Sequence, residues 1–406
     1  MTLDFLPKLL ANKKIILGIC GSIAIYKSIE ILRNLQKLGA SVRVVMSDDS
    51  QKFINPLLFE ALCGYQVLTT QSQNWGEIPH NHIEIASWGD IFLIAPISAN
   101  SLNKVAYGIA DNILLESFLA FDGPKLIAPA ANTKMLQNPA TQSALNLLIQ
   151  RGIAIIPSQS KELACKTIGD GALADPLEIT YQTIRAFYQE KFWENKALCI
   201  TSGGSKENID SVRYLSNHSS GKMGASLALA GYFLGAKVTY IGSLCPYPLP
   251  LRINYNSAQS TQDFLQSIQK WQESNAFSKD SFLFMSAAIS DYIPKESFQG
   301  KLKKEAIGQE WNLCLQKNLD ILSTISKKQT TIGFKLESQN GLENAIKALQ
   351  NKNLDAICLN EISPSLNPMN ATENQITWVS QKSQKNLGKS DKLTLAFQIL
   401  NEAKSL

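Results

Sequence analysis

No two cysteines of this 406-residue chain stand in a C-x-x-C pair. Cys20, Cys63, Cys165, Cys199, Cys245, Cys314 and Cys358 are odd in number and far apart, which argues against a disulfide framework and against a zinc site. Histidine is scarce too: three in all, two of them at 80 and 82, give transition metals little to bind. The apolar run IILGICGSIAI is too short and too interrupted by glycine to cross a bilayer. The opening MTLDFLPKLLANKK has no apolar core of a secretory signal. A net charge of +5 from scattered basic residues lacks the clustered footprint of a nucleic-acid binder. These absences predict a cytoplasmic protein of a reducing compartment, without membrane or nucleic-acid partners. Small anionic molecules are the partners that its charge allows.

What is present suits large cores. Apolar residues make up 45% and charged ones 18%, and the length predicts two or three domains. An apolar strand over 14–19 runs into a small-residue turn at 20–22. A helix follows over about 24–38, with Ile25, Ile29, Leu32 and Leu35 at helical spacing. Gly39 is a fitting stop, and SVRVVM is the next strand. IFLIAP, KLIAPA and IAIIP read as further buried strands, each followed by polar or small residues.

The pattern then begins again. ALCITSGG is a strand entering a glycine turn, a helix spans about 221–234, Gly235 stops it, and AKVTYIG follows. FLFMSAA, TIGF and DAICLN read as core strands. An amphipathic segment from Ile179 to Phe192 predicts a helix between the halves. The fold class expected is α/β: two tandem doubly wound, Rossmann-like domains, 1–190 and 191–406. Neither glycine turn matches G-x-G-x-x-G, so topology alone names no nucleotide.

One stretch, SNHSSGKMG at 216–224, sharpens the question. Its Gly-Lys pair stands where a helix begins, as in a P-loop. No glycine holds the required upstream position, however, and Met223 follows the lysine where a Ser or Thr would hold magnesium. Backbone donors, Ser219, Ser220 and Lys222 at a helix start still suit an anion.

Taken in order along the chain, these strings resemble the bifunctional phosphopantothenoylcysteine decarboxylase/phosphopantothenate–cysteine ligases of coenzyme A biosynthesis. The resemblance covers nearly the whole length, decarboxylase first. VRYLSNHSSGKMG is its most specific string. It implies FMN in the first domain, CTP and magnesium in the second, and a homo-oligomer of trimeric decarboxylase units and dimeric ligase units.

In the first half, Gly21 and Ser22 of GSIAIYKS, Ser47, and Pro96, Ser98 and Asn100 of PISAN are similar to the family's FMN-binding positions. Any one of these serines would alone read as a cap or turn; together they form a set. The resemblance makes His82 the active-site histidine, Asn132 of PAANTKM a substrate-binding catalytic asparagine, and Cys165 of ELACKTIGDGALADP a proton donor on a flap. Ala131, Lys166 and Ala172 depart from the family pattern. The implied chemistry is balanced: flavin oxidises the cysteine side-chain carbon to a thioaldehyde, CO₂ leaves, and the same flavin returns the electrons.

In the second half the resemblance makes Asn217 the residue that stabilises an acyl-nucleotide. Arg213, Ser219, Ser220 and Lys222 become substrate contacts. Asp291 and Lys301 become a pair linked to CTP and magnesium, with Asp291 the metal ligand. Asn318, Leu319, Asp320 and Ile321, together with Phe334 and Lys352, become nucleotide contacts. Leu319 replaces a usual proline, and Ala348 a usual lysine. Two other readings use the same residues: a flavin or nicotinamide oxidoreductase with a nucleotide-binding partner domain, and a non-catalytic flavoprotein module. The first would turn over with an external electron donor and need no CTP. The second would not need His82, Asn132 and Cys165.

Overall fold

The computed structural model describes residues 3–162, 168–274, 280–303, 308–361 and 371–406. The chain divides into two compact units, Met1–Phe187 and Tyr188–Leu406.

The first unit is built on five parallel strands: β1 (Lys14–Ile19), β2 (Ser41–Met46), β3 (Ile91–Ile97), β4 (Lys125–Pro129) and β5 (Ala154–Ile155), in the spatial order β2-β1-β3-β4-β5. β3 is buried along its whole length, as expected of a central strand covered on both faces. The predicted first helix appears as a 3₁₀ turn Ile23–Ile25 followed by the α-helix Tyr26–Lys37, which buries Ile31, Leu32 and Leu35. The crossovers run one way to β2 and the other way to β4 and β5, and the right-handed rule for such connections puts their helices on opposite faces of the sheet. On one side Phe92 meets Phe118 and Phe121 edge-on, at 5.1 and 5.8 Å between ring centres, within a core that includes Ile16, Leu114 and Leu148. IAIIP contributes only its two central residues as strand. A hairpin, β6 (Gln159–Glu162) with β7 (Ile168–Ala172), follows.

The helix expected over 179–192 spans Pro176–Tyr188 instead, and it is buried nearly all round over residues 178–184. Three of its polar side chains bond within it: Thr180 and Thr183 donate to the carbonyls of Pro176 and Ile179, and Gln182 donates to Glu178. Internal bonding of this kind lets a stripe that reads as solvated enter a core. Beyond the helix Trp193, wholly buried, packs edge-on against Phe282 at 5.1 Å.

The main sheet of the second unit has, among the described residues, eight strands: β8 (Ala197–Ser202), β11 (Lys237–Gly242), β12 (Asn254–Ser257), β13 (Ser281–Met285), β16 (Thr330–Glu337), β17 (Ala356–Glu361), β18 (Glu373–Ser380) and β19 (Gln384–Asp391). Their order is β12-β11-β8-β13-β16-β17-β18-β19, parallel up to β17 and antiparallel beyond it. Two ribbons stand apart: β9 (Lys206–Asn208) with β10 (Tyr214–Ser216), and β14 (Tyr292–Pro294) with β15 (Leu315–Lys317). The helix Lys222–Leu234 is apolar on every side because it lies between the sheet and the last helix, Lys392–Ala403. Phe233 and Phe397 stack between these two helices, 6.5 Å apart.

Candidate active site

In the first unit the chain leaves β1 to one side and returns to β3 on the other, the switch point at which open α/β sheets carry a ligand crevice outside the carboxyl ends of their strands. Ser22 caps the 3₁₀ turn by accepting from the Ala24 N–H at 3.3 Å, and its hydroxyl reaches the Ala130 carbonyl at 3.5 Å. Gly21 precedes it in the same turn. Ser47, buried, follows β2 and starts the short helix Asp48–Gln51. Pro96 lies within β3, and Ser98 after it accepts from the Ser101 N–H at 3.2 Å to begin the helix Ala99–Ala106, with Asn100 exposed in its first turn. Asn132 follows β4 and caps the next turn through the Lys134 N–H at 2.9 Å.

His82 opens the helix His82–Trp88, which leads into β3 and so starts at the same edge of the sheet. Its Nδ1 lies 3.6 Å from Glu116 Oε2 and 3.4 Å from Gln73 Nε2, while Trp75 stands edge-on at 5.5 Å between ring centres. These three neighbours carry no motif, and the sequence reading missed them. Cys165 lies outside the described residues.

The second unit contains a cavity of about 1300 Å³. Asn217, Ser219, Ser220, Lys222, Asp291, Asn318, Leu319, Asp320, Ile321, Phe334 and Lys352 all line it, although they are drawn from five separate stretches of sequence. Gly221 takes φ +67 to turn the loop into its helix, a conformation that a side chain would strain. Gly224 lets that helix approach β8 closely, since a Cβ there would lie 2.4 Å from Ser202 Oγ.

The NLDI loop is held by a chain of hydrogen bonds. Asn318 Nδ2 donates to Thr261 Oγ1 and to the Ser290 carbonyl, each at 2.7 Å, while its Oδ1 accepts from the Leu319 N–H at 2.8 Å. Thr261 Oγ1 in turn donates to the buried Glu207 at 2.6 Å. The Asn318 side chain is thus committed to shaping the loop, and its backbone N–H donates to the Asp291 carbonyl at 2.8 Å. Asn217 Nδ2 donates to the Ile289 carbonyl at 3.1 Å, which orients the amide at the cavity wall and leaves it a second N–H.

Charge is sorted within the cavity. Lys352 pairs with Asp320 at 2.9 Å; burial works against the Asp320 carboxylate, but the lysine outweighs it and keeps the pKa below its ordinary value. Lys335 pairs with Glu337 at 2.6 Å. Lys392, only 4% exposed, joins the lining, and burial, reinforced by the charge of Lys222, pushes its ammonium down to about 8.

Two expected contacts are not on this wall. Arg213 grips the Asp210 carboxylate through Nε at 3.0 Å and through Nη2, reaches the Leu302 carbonyl at 3.2 Å, and lies over Trp311 at 4.7 Å. The guanidinium holds the Asp210 carboxyl well below the usual carboxylate range. The nearby acid has taken the arginine's fork, so Arg213 braces a loop rather than lining the cavity. Lys301 is exposed on that same loop, where the Leu302 N–H is pinned to Asp210 at 3.2 Å, and it too is absent from the lining.

Residues 6–188 match the family model described as Flavoprotein, and residues 193–406 match the model of the DNA/pantothenate metabolism flavoprotein C-terminal domain. A coenzyme A biosynthesis bifunctional protein CoaBC from Vibrio vulnificus (strain CMCP6) is 35% identical over 402 residues, covering 98% of this chain and 98% of the relative. The chain belongs to this bifunctional CoaBC family. The relative of the same name from Escherichia coli (strain K12) is 34% identical over 399 residues, covering 97% of each chain. Among solved structures, the C-terminal domain of a coenzyme A biosynthesis bifunctional protein CoaBC covers 53% of this chain and 97% of its own at 27% identity, with a TM-score of 0.44. The FMN binding protein AtHal3 covers 43% of this chain and 96% of its own at 35% identity, with a TM-score of 0.37.

The residues present suit the groups that this CoaBC family implies. In the first unit, Thr133 Oγ1 beside Asn132 is buried without a hydrogen-bond partner, a polar atom that a bound flavin or substrate would satisfy. In the second, no cluster of three or more His, Cys, Asp or Glu is found among the described residues. Of the two aspartates that line the cavity, Asp320 is paired with Lys352 and Asp291 suits magnesium, which is commonly held by one or two carboxylates together with substrate phosphates. Among the described residues, no helix is long and apolar enough to cross a membrane.

Proposed function

We propose that this chain is a cytoplasmic bifunctional enzyme of coenzyme A biosynthesis. It joins cysteine to phosphopantothenate at the expense of CTP, then decarboxylates phosphopantothenoylcysteine to phosphopantetheine. The ligase belongs to 191–406 and the FMN-dependent decarboxylase to 1–190. The observation that carries the reading is the convergence of the 216–224 loop, Asp291, the NLDI loop, Phe334 and Lys352 on one cavity.

A carboxylate does not accept an amine directly, so it is first activated as an acyl-cytidylate with loss of pyrophosphate; the cysteine amine then attacks the activated carbonyl. Asn217 offers its second amide N–H to the acyl oxygen as negative charge develops there. Half-buried Phe334 gives a base an apolar platform, and the lysines of the wall neutralise phosphate oxygens. Magnesium, when bound with the nucleotide at Asp291, adds charge neutralisation.

In the decarboxylase, the helix starts at Ser22 and Ser98 bind the flavin phosphate. His82, oriented by Gln73 and Glu116, and Asn132 hold the substrate carboxylate over the crevice. FMN, when bound, supplies the electron sink that loss of CO₂ requires. Cys165 returns the proton in the final reduction. The product of the ligase is the substrate of the decarboxylase, and the full assembly is a homo-oligomer of trimeric decarboxylase and dimeric ligase units, to be checked by light scattering.

Purified protein incubated with phosphopantothenate, cysteine, CTP and magnesium should release pyrophosphate and then CO₂. Turnover that needs an external electron donor and ignores CTP would replace this reading with an oxidoreductase.

A further inference from the structure

We propose that Lys392 and Lys222 form a phosphate-anion subsite on one wall of the ligase cavity, with Lys392 a binding residue that no sequence motif marks. The inference rests on the ligase reading above. Lys392 is 4% exposed, yet it lines the cavity together with Lys222, Asn360 and Asn374. A buried lysine normally snorkels to water; this one reaches a cavity instead.

Its position is enforced by the fold. Lys392 is the first residue of the last helix, whose cap is firm: the Asp391 carboxylate accepts from the Leu393 and Thr394 N–H groups at 3.0 and 2.9 Å and from the Thr394 hydroxyl at 2.6 Å. Lys222 is the first residue of the helix packed against it, and no side chain caps that helix. The positive ends of two helices and two ammonium groups therefore meet at one wall.

Two further observations point to an anionic ligand. Ser290, 4% exposed and on the same cavity, has a hydroxyl buried without a hydrogen-bond partner, a donor that an anion would satisfy. Burial and the neighbouring charge of Lys222 both weaken the proton's hold on Lys392, a cost that an incoming anion relieves.

The ligand class is a phosphate ester, and two sources qualify: the phosphate chain of CTP and the phosphate of phosphopantothenate. The test uses full-length Lys392→Met and Lys392→Arg. CTP affinity is read by calorimetry with magnesium, and the KM for phosphopantothenate by pyrophosphate release. Loss of one charge-assisted contact should weaken one of these roughly 10- to 100-fold. Arginine should restore most of it, and thermal melting should show both variants folded.

Weakened CTP binding alone assigns the subsite to the triphosphate; a raised KM for phosphopantothenate alone assigns it to the substrate phosphate. Lys392→Gln carries the same expectation should the methionine variant not fold. Normal affinity for both ligands in a folded, uncharged variant overturns the subsite while leaving the ligase reading intact. A wild-type protein that binds neither ligand overturns both.

Discussion

The two units begin alike and then diverge. In the first, β1 passes through the turn at 20–22 straight into a 3₁₀ turn capped by Ser22. In the second, β8 leads into a glycine turn and a β9–β10 ribbon before the helix begins at Lys222. The first unit starts its crevice helices with neutral caps, Ser22, Ser98 and Asn81. The second starts two helices with lysine. Neutral caps give a phosphate directed N–H groups and leave room for a flat ring; lysines at helix starts add full charge, which a triphosphate with its leaving pyrophosphate needs. The same β-turn-helix opening thus carries different groups at the starts of its helices in the two units.

The comparison breaks most readily at Asn217. Asn217→Ala should lower amide formation about a hundredfold or more, since an oriented donor to a developing oxyanion is lost. Decarboxylation of supplied phosphopantothenoylcysteine should continue at the wild-type rate. An unchanged ligase rate would make the loop structural.

Cys165→Ser should divide the decarboxylase cycle. Serine is a far weaker acid than a thiol of pKa about 8.5, so the product should leave as the ene-thiol, two hydrogens lighter by mass spectrometry. Fully reduced product at the wild-type rate would end the proton-donor role.

Residues 191–406 expressed alone should be colourless, while 1–190 should be yellow with FMN. Flavin retained by the second fragment would reverse the assignment of halves.

A smaller effect concerns the loop of Arg213 and Lys301. Lys301→Ala should weaken pyrophosphate release only if nucleotide binding draws that loop toward the cavity; release at the normal rate would leave Lys301 a solvated residue. The smallest effect is on stability. Lys392 and Lys327 both have folded pKa values lowered by burial to about 8 from an ordinary 10.5, so the folded state binds fewer protons between those values. Their contribution to stability should therefore rise as pH increases from about 8 toward 10.5, and Lys392→Met should flatten that slope in thermal melts.

The sequence made the repeated architecture legible because buried parallel strands are continuous apolar runs ending in small residues, as IFLIAP and FLFMSAA do. It hid β18 and β19: ENQITWVS and QKNLGKSD are polar along one or both faces and antiparallel, and no crossover helix announces them. Short motifs located most of the ligase lining, since SNHSSGKMG and NLDI keep their residues adjacent in the chain. Lys392, Lys335, Asn374 and the Glu207–Thr261 support escaped because each stands alone in its own stretch. The surroundings of Arg213 were hidden for a related reason: sequence shows a cation beside a loop, but not that Asp210, three residues earlier, is paired with it.

The polar strand β19 has one more consequence. It forms one rim of an eight-stranded sheet, and any rim offers unpaired backbone groups to a passing chain. QKNLGKSD carries Lys385 and Lys389, both more than half exposed and ion-paired to Glu402 and Glu373, with Gly388 at φ +79 bending the strand. The opposite rim, β12, is only four residues long. Charge at one end and brevity at the other discourage sheets from joining edge to edge, so substituting Lys385 and Lys389 with β-branched apolar residues should raise aggregation during folding.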